Sequence, residues 1–257
     1  MKTLKSNIAS FMIATLFSIT NLNVVAQGLE TRVITGKISD GEHPIANVAV
    51  TDGQNIVTTD ENGCYSIKTS VNTRFVYITT PAGYVVPVKD KTIPQFYQHL
   101  ETDKNTYDFK LTKNQYNDNN HTFVVHSDVQ VTSTDDINQY KTIIDDCRNT
   151  INKTKGDVFG IDCGDIVGDS PQLYPNYIET VSALKIPFFR AIGNHDMDYY
   201  GRSHETSYKT FEKYFGPTVY SFNKGKAHYI ILNNNFFIGR DYFYMGYVDE
   251  KTFEWLE

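Results

Sequence analysis

The sequence is poor in cysteine, with three among its 257 residues. Cys64, Cys147 and Cys163 do not follow the spacing of a zinc site, and an odd number leaves at least one of them unpaired. A zinc site built from these cysteines is therefore not indicated. We expect all three to be small buried residues.

Positive charge is also in short supply. The 24 Lys and Arg residues are outnumbered by 30 Asp and Glu residues, which gives a formal net charge of −6. A general nucleic-acid binder usually carries a basic face, so this balance argues against that class of protein. Hydrophobic residues make up 40% of the chain, which is enough for a core and argues against global disorder. The length leaves room for one large domain or two modest ones.

Hydrophobic runs of transmembrane length are lacking, and the one apolar stretch near the N-terminus is short. Lys2 and Lys5 precede apolar residues 8–19, and Val24-Val25-Ala26 offers a small-residue cleavage site. This order is typical of a secretory signal peptide, which we predict for residues 1–26. A transmembrane anchor would need about 20 apolar residues, and no cysteine follows the cleavage site to carry a lipid. We therefore expect an exported protein, periplasmic or extracellular, without stable membrane insertion after cleavage.

Residues 28–113 show the pattern of an all-β domain. Turn signals such as Asp40-Gly41, Asp52-Gly53 and Asn62-Gly63 separate short runs of β-prone residues. Regular short strands with such turns predict a β-sandwich. The expected strands are 31–38, 48–50, 56–59, 64–67 and 75–79.

Two stretches of this region resemble the carboxypeptidase-regulatory-like, prealbumin-like β-sandwich modules. They are residues 44–50 (PIANVAV) and 59–67 (TDENGCYSI). In the second stretch, Asn62-Gly63 suits a tight hairpin with positive φ, and Tyr65 and Ile67 then share one face. Such a module is either a glycan-binding domain or a structural spacer or docking domain. We favour the second interpretation because no cluster of ligand-like residues stands out.

The hydrophobic period changes after the polar segment 114–120 (NQYNDNN), which we interpret as a linker. Short buried runs then alternate with helical periodicity. This β-α-β-α-β order predicts a parallel sheet covered by helices, the start of an α/β domain over 121–257. The expected strands are 123–125, 158–161, 187–192, 219–222 and 228–232, and the expected helices are 137–151, 174–184, 203–215 and 249–257.

Polar side chains stand where the first three of these strands end. Ser127-Asp128-Val129-Gln130 follows the first strand, residues 164–169 (GDIVGD) follow the second, and Gly193-Asn194-His195-Asp196 follows the third. In open α/β sheets, ligands bind outside the carboxyl ends of the strands. Oxygen-rich side chains that converge there suit divalent metal ions. One Asp at such a place could be an ordinary helix cap, but three motifs together favour a metal site.

In this order, the three motifs resemble those of the calcineurin-like phosphoesterases. The family pattern runs Asp-x-His, Gly-Asp-x-x-Gly/Asp and Gly-Asn-His-Asp/Glu, followed by a lone His and by Gly-His-x-His. An export signal, a regulatory-like β-sandwich and this domain also resemble a two-domain architecture in the family. The resemblance implies a two-sheet sandwich for the second domain and metal-dependent hydrolysis of a phosphate mono- or diester.

The resemblance also implies a set of metal ligands. Asp165 looks like the carboxylate that bridges two divalent ions. Asp128 and Gln130 would hold the first ion, and Asn194 would hold the second through its side-chain oxygen. The identity of the ions (Mn, Fe, Zn or Mg) stays open. Such a centre activates a bridging water and neutralises charge on the phosphoryl oxygens.

The catalytic roles come from the resemblance as well. His195 looks like the group that steadies the transition state or protonates the leaving oxygen. Asp196 is expected to orient His195. Asp169 is either a support for the ligands or a cap of its loop.

The sequence departs from the family pattern in two ways. Gln130 stands where the commoner family member has His, and an amide oxygen is a weaker ligand of zinc or iron than imidazole. Some family branches do carry Asp-x-Gln, so this marks a subfamily. No metal-type His and no Gly-His-x-His follow residue 196. His204 precedes a helix, and for His228, inside a predicted strand, we favour packing or hydrogen bonding.

The second departure predicts a truncated catalytic domain. The second ion would keep only Asp165 and Asn194, which is a poor site for two ions. One sheet of the expected sandwich would also lack its partner and expose apolar surface.

Two classes of function therefore compete. The first is a metal-dependent phosphoesterase, incomplete in this chain, that acts on a phosphorylated small molecule or on an envelope glycan or lipid. The alternative is a non-catalytic cell-envelope binding protein on a degenerate phosphoesterase scaffold. A nuclease of the same superfamily is disfavoured by the net charge and by the export signal, so we expect no nucleic-acid partner.

Overall fold

The computed structural model describes residues 30–198, 200–239 and 243–257, so the predicted signal peptide lies outside the described residues. The N-terminal part consists of short strands separated by turns. Their bounds are β1 (Thr31–Ser39), β2 (Ala49–Thr51), β3 (Ile56–Thr58), β4 (Cys64–Ser70), β5 (Phe75–Ile78), β6 (Tyr84–Val85), β7 (Val88–Lys89), β8 (Ile93–Pro94), β9 (Tyr97–His99), β10 (Phe109–Lys110) and β11 (Thr112–Lys113).

Strand β1 shows why this part folds into sheets. Every second residue from Ile34 to Ile38 is buried, as expected of a strand with one face on a core. Strand β4 pairs antiparallel with β1, with Ile34 opposite Ile67, and β10 pairs with β1 in parallel. A second sheet, in the order β3-β2-β5-β9, adds Val50 and Ile78 to the same core. The prediction of an N-terminal β domain is confirmed, and its sheets contain both parallel and antiparallel pairs.

The turn before β4 has the conformation that its sequence indicates. Gly63 has a φ of +72°, and a Cβ added there would lie 2.4 Å from the carbonyl oxygen of Ile38. Only glycine suits this position. Tyr65 and Ile67 are both buried, so they share one face of β4.

The second part begins with a parallel sheet in the order β12-β13-β14, with helices α1 and α2 in the connections. The predicted α/β arrangement is confirmed to this extent. The bounds of its elements are β12 (His121–His126), α1 (Thr134–Ile151), β13 (Asp157–Asp162), α2 (Tyr174–Val181), β14 (Phe188–Arg190), α3 (Lys209–Phe215), β15 (Tyr220–Lys224), β16 (Ala227–Ile231), β17 (Asn235–Gly239), β18 (Phe243–Gly246) and α4 (Glu250–Leu256).

Helix α1 illustrates how local sequence places these elements. Ser133 caps the helix by accepting a hydrogen bond from the backbone N–H of Asp136, whose carboxylate accepts one from the N–H of Ser133 in return. This reciprocal pair is a capping box and sets the start of the helix. Ile137, Tyr140 and Ile144 recur at helical spacing and are buried against the sheet layer.

The β domain and the α/β part share a hydrophobic core. Phe159, Phe189 and Phe222 belong to the same buried cluster as the core residues of the β sheets. The polar segment 114–120 is also held between them, since the side chain of Asn114 donates to Asp157 and the buried Asp118 accepts from the N–H of Gly83. The segment therefore packs against both parts of the chain.

Several expectations differ from the structure. Cys64 and Cys163 are exposed and Cys147 is half-buried, so the prediction that all three are buried is wrong. The helix expected at 203–215 is divided into a 3-10 turn, His204–Thr206, and α3. The hairpin of β17 and β18 was not predicted. Among the helices of the described residues, none combines the length and the apolar character that crossing a membrane requires.

Candidate functional site

Three loops leave the sheet at the same edge, because β12, β13 and β14 are parallel and their last residues are neighbours in the ladder. Backbone hydrogen bonds tie the first two loops together. The N–H of Gln130 donates to the carbonyl of Asp165 at 2.8 Å, and the N–H of Gly168 donates to that of Val131 at 3.0 Å. The third loop joins through the N–H of Asp169, which donates to the carbonyl of His195. The three predicted motifs therefore lie side by side.

The backbone at these loops is strained. Asp128, Gln130, Asp165 and Asp169 have φ values of 53°, 43°, 51° and 58°. This left-handed region is uncommon for residues other than glycine. Such strain collects at functional sites, where the surrounding structure holds it in place. Four such residues lie in two adjoining loops at this edge of the sheet.

Asp165 is at the centre of the three loops. Its Oδ2 accepts a hydrogen bond from Nε2 of Gln130 at 3.2 Å, and its Oδ1 accepts one from the backbone N–H of His195 at 2.9 Å. A Cβ added to Gly193 would lie 2.0 Å from Oδ1 of Asp165. Glycine is therefore required at position 193, and the second and third loops meet at this carboxylate.

His195 is hydrogen-bonded to Asp169, with 2.8 Å between Nδ1 and Oδ1. The two side chains are 33% and 28% exposed, so both can be reached from solvent. Burial lowers the pKa of His195, but the hydrogen bond and the charge of Asp169 outweigh this effect and raise the pKa above its ordinary value. The contact thus favours an imidazolium held in a fixed orientation.

Asp196 faces the interior instead. Its carboxylate accepts hydrogen bonds from the backbone N–H groups of Gly193, Ile166 and Val167 and from the hydroxyl of Tyr174. Burial raises the pKa of this carboxyl to about 7, against the effect of the N–H donors. The orienting contact expected of Asp196 is therefore made by Asp169, and Asp196 connects the second and third loops.

Models of known protein families match both parts of the chain. The family model described as calcineurin-like phosphoesterase matches residues 121–255, more than half of the 257 residues. The chain belongs to this family. A second model, described as the N-terminal domain of calcineurin-like phosphoesterase, matches residues 32–114. No curated protein and no solved structure gives a significant match.

As a member of the calcineurin-like phosphoesterases, the chain has a metal-dependent phosphoesterase domain in its α/β part. Proteins of this family generally use divalent metal ions as cofactors. The chemistry of the donors agrees with such ions. Asp128, Gln130, Asp165 and Asn194 all offer side-chain oxygens, which Mg²⁺ and Mn²⁺ prefer. Asp128 and Gln130 are exposed, and Asp165 and Asn194 are half-buried.

In the part of the chain that the structure describes, the edge with the three motifs holds few carboxylates. Across the described residues, no group of three or more His, Cys, Asp or Glu side chains is gathered for metal binding. Two of the four predicted ligands, Gln130 and Asn194, are amides and fall outside such a group. The two histidines that follow the third motif form hydrogen bonds in other places. His228 is paired with Asn223 at 2.6 Å, and Nδ1 of His204 accepts from the N–H of Phe237.

The sequence did not single out a cleft lined by Asp169, the hydrogen-bond partner of His195, and by Met197. The cleft has a volume of about 640 Å³, and Asp169 is one of its lining residues. Pro171 and Met197 form apolar walls, and Arg202 and Lys209 add positive charge. Its size is that of a small-molecule site, and only its proximity to the third motif could have drawn attention to it.

Proposed function

We propose that this chain hydrolyses a phosphate mono- or diester with two divalent metal ions at the ends of β12, β13 and β14. The position of Asp165 carries the proposal. Its two carboxylate oxygens are approached from different loops, one by Gln130 and the other by the backbone of His195. A bridging carboxylate would offer one oxygen to each ion, and the two oxygens of Asp165 face different loops.

The four oxygen donors are assigned as follows. Asp128, Gln130 and Asp165 hold one ion, and Asp165 and Asn194 hold the other. When bound, the ions supply a water of lowered pKa and neutralise charge on the phosphoryl oxygens. The oxygen donors favour Mn²⁺ or Mg²⁺ over Zn²⁺ or Fe²⁺. Such ions take four to six ligands, and the second ion has only Asp165 and Asn194. We therefore propose that Asp165 and Asn194 form an incomplete site for the second ion.

His195 is the proposed proton donor to the leaving oxygen. The hydrogen bond from Nδ1 to Asp169 fixes the orientation of the ring and stabilises its protonated form. A proton donor needs both properties. Asp196 keeps the turn that carries His195 attached to the second loop, through its bonds to Gly193 and Ile166.

The cellular setting is also proposed. Residues 1–26 direct export, and the substrate is a phosphorylated small molecule or an envelope glycan or lipid in the periplasm or outside the cell. The signal-like N-terminus and the net charge of −6 support this assignment and speak against nucleic acid. We place the β domain at 28–113, the connection at 114–120 and the catalytic domain at 121–257. A non-catalytic binding protein is not favoured, because the match is to a phosphoesterase family.

The test compares the parent chain with Asp165→Asn, using p-nitrophenyl phosphate and bis-p-nitrophenyl phosphate with Mn²⁺, Mg²⁺ or Zn²⁺. The matched control is Asp145→Asn, the same change at an exposed residue of α1. We expect activity in the parent and the control, and a loss of about a hundredfold or more in Asp165→Asn. Equal rates in parent and Asp165→Asn, or none in either, would contradict the proposal. Bound Mn²⁺ per chain tells one ion from two.

A further inference from the structure

A row of buried polar side chains crosses the parallel sheet just below the proposed metal site. His126, Asp162 and Arg190 are the last residues of β12, β13 and β14, and they are direct neighbours in the ladder. Their exposed fractions are 8%, 1% and 3%. Each of the three site loops begins at the next residue, so the row is the base from which these loops leave the sheet.

The row is charged, and its hydrogen bonding is incomplete. Nδ1 of His126 lies 3.5 Å from Oδ1 of Asp162, and Nε of Arg190 lies 3.4 Å from Oδ2 of Asp162. Among the described residues, Asp162 Oδ1 and Arg190 Nε are buried without a hydrogen-bond partner. Buried charges with incomplete pairing rarely stabilise a fold compared with apolar side chains. Stability alone therefore does not account for the row.

The row ends on the β domain, at Thr92. Nη2 of Arg190 donates to Oγ1 of Thr92 at 3.0 Å, and Nη1 donates to its carbonyl oxygen at 3.3 Å. The same carbonyl accepts from the N–H of Phe188, in β14, at 2.8 Å. Thr92 is fully buried. One residue of the β domain thus binds both the backbone and the terminal side chain of β14.

The turn that delivers Thr92 is strained. Asp90 and Lys91, at the tip between β7 and β8, have φ values of 49° and 59°. The turn closes with a hydrogen bond from the N–H of Thr92 to the carbonyl of Lys89. Left-handed backbone is costly for residues such as Lys, and it persists where the surrounding structure needs it. Here, it places Thr92 against Arg190.

We propose that the β domain positions the phosphoesterase site through Thr92. Thr92 holds the guanidinium of Arg190, which lies against Asp162. This contact fixes the relative position of the ends of β13 and β14, where the loops of Asp165 and His195 begin. The residues of the row and Thr92 are positioning residues, because they act through the loops above them. The inference rests on the metal site proposed above.

The test replaces the Thr92 hydroxyl and uses a matched control within the same domain. Thr92→Val removes the hydroxyl, one of the two acceptors that Thr92 offers to Arg190, and leaves the backbone carbonyl in place at nearly constant volume. Thr80→Val makes the same change at a second buried threonine, whose Oγ1 has no hydrogen-bond partner among the described residues. We expect the Mn²⁺ dissociation constant of Thr92→Val to rise about tenfold, as for other residues that support metal ligands. Thr80→Val should match the parent, and Thr92→Ser should restore binding.

A second readout needs no metal. In backbone NMR spectra of the metal-free chains, the amide signals of Gly164, Asp165 and Gly193 should shift in Thr92→Val and remain in place in Thr80→Val. If Thr92→Val does not fold, Arg190→Lys takes its place, since Lys keeps the charge but lacks the planar fork. Parent-like Mn²⁺ binding and unshifted amides would overturn the inference and leave the phosphoesterase proposal intact. A parent without Mn²⁺ binding would overturn the phosphoesterase proposal, and the amide shifts would still decide the coupling.

Discussion

Asp169 accepts a hydrogen bond from Nδ1 of His195 at 2.8 Å, although 26 residues separate the two in the sequence. The pair links the end of the second loop to the middle of the third. Asp196, which follows His195 directly, directs its carboxylate into the interior. The two carboxylates next to His195 therefore have different tasks, and substitution can separate them.

Asp169→Asn should reduce catalysis more than metal binding. The change removes the charge that orients His195 and raises its pKa, while no proposed ligand is altered. General acid catalysis contributes about a hundredfold or more, and we expect kcat to fall by about tenfold or more. Steady-state kinetics with bis-p-nitrophenyl phosphate and Mn²⁺ titration would measure the two effects.

Asp196→Asn is the counterpart of that variant and should act on stability. An amide cannot accept all the bonds that Gly193, Ile166 and Tyr174 donate to this carboxylate. Loss of such buried bonds costs about 1–3 kcal/mol in the free energy of unfolding, which urea denaturation would measure. A parent-like stability for Asp196→Asn, together with a larger loss for Asp169→Asn, would show that we have the two roles reversed.

Gly193→Ala should weaken metal binding by displacing Asp165. The added Cβ would lie 2.0 Å from Oδ1 and 2.1 Å from the backbone nitrogen of Asp165, so one of the two loops must move. Overpacking of this kind costs about 1–3 kcal/mol. Gly246→Ala is the control, since a Cβ there meets nothing within 4 Å. Mn²⁺ titration and urea denaturation should both show a loss for Gly193→Ala alone, and equal behaviour of the two variants would contradict the close contact.

The sequence was informative wherever local pattern decides structure. Alternation and helical spacing predicted the strands and helices around the site, and parallel strands bring their ends to one edge. The contact of Gln130 with Asp165 follows from that geometry. The division of tasks between Asp169 and Asp196 does not, because it depends on the 3-10 turn Asn194–Asp196, which directs adjacent side chains to opposite sides.

Contacts between distant parts of the chain were beyond the reach of the sequence patterns. Thr92 and Arg190 are 98 residues apart, and neither lies in a motif. The left-handed residues Asp90 and Lys91 are the central residues of the tight turn between β7 and β8, which lacks the Asn-Gly or Asp-Gly signal that usually marks such a turn. The hairpin of β17 and β18 was missed because β17 lacks the regular alternation of buried and exposed residues that marks a strand.

The salt bridge between Arg74 and Glu212 should stabilise the association of the β domain with α3. Nε and Nη2 of Arg74 donate to the two carboxylate oxygens at 2.6 and 2.8 Å, and the side chain of Glu212 is only 7% exposed. Arg74→Met leaves that carboxylate buried without its partner. Because Arg74 is partly exposed, we expect a loss of roughly 2 kcal/mol in the free energy of unfolding, below the value for a fully buried pair.

A double-mutant cycle would test this. Arg74→Met with Glu212→Leu should recover most of the loss, since the unpaired charge is then gone. Arg148 and Asp145, 2.7 Å apart on the exposed face of α1, form the control pair. Separating them should cost less than about 1 kcal/mol. Equal coupling energies for the two pairs would show that the bridge between the domains is no more than a surface contact.

The two parts of the chain should unfold in a single transition, because they share one core. Trp255, the only tryptophan, is buried in α4, and its Nε1 donates to Oγ1 of Thr51 in β2 at 3.2 Å. Its fluorescence therefore reports on the contact between the domains, whereas far-UV circular dichroism reports on all helices and strands. We expect the two signals to coincide in urea. Thr51→Val should lower the free energy of unfolding by about 1 kcal/mol and move both midpoints together to lower urea. A fluorescence change at lower urea than the circular dichroism change would show that the β domain separates from the α/β part first. That result would count against the positioning role of Thr92, which needs a firmly attached β domain.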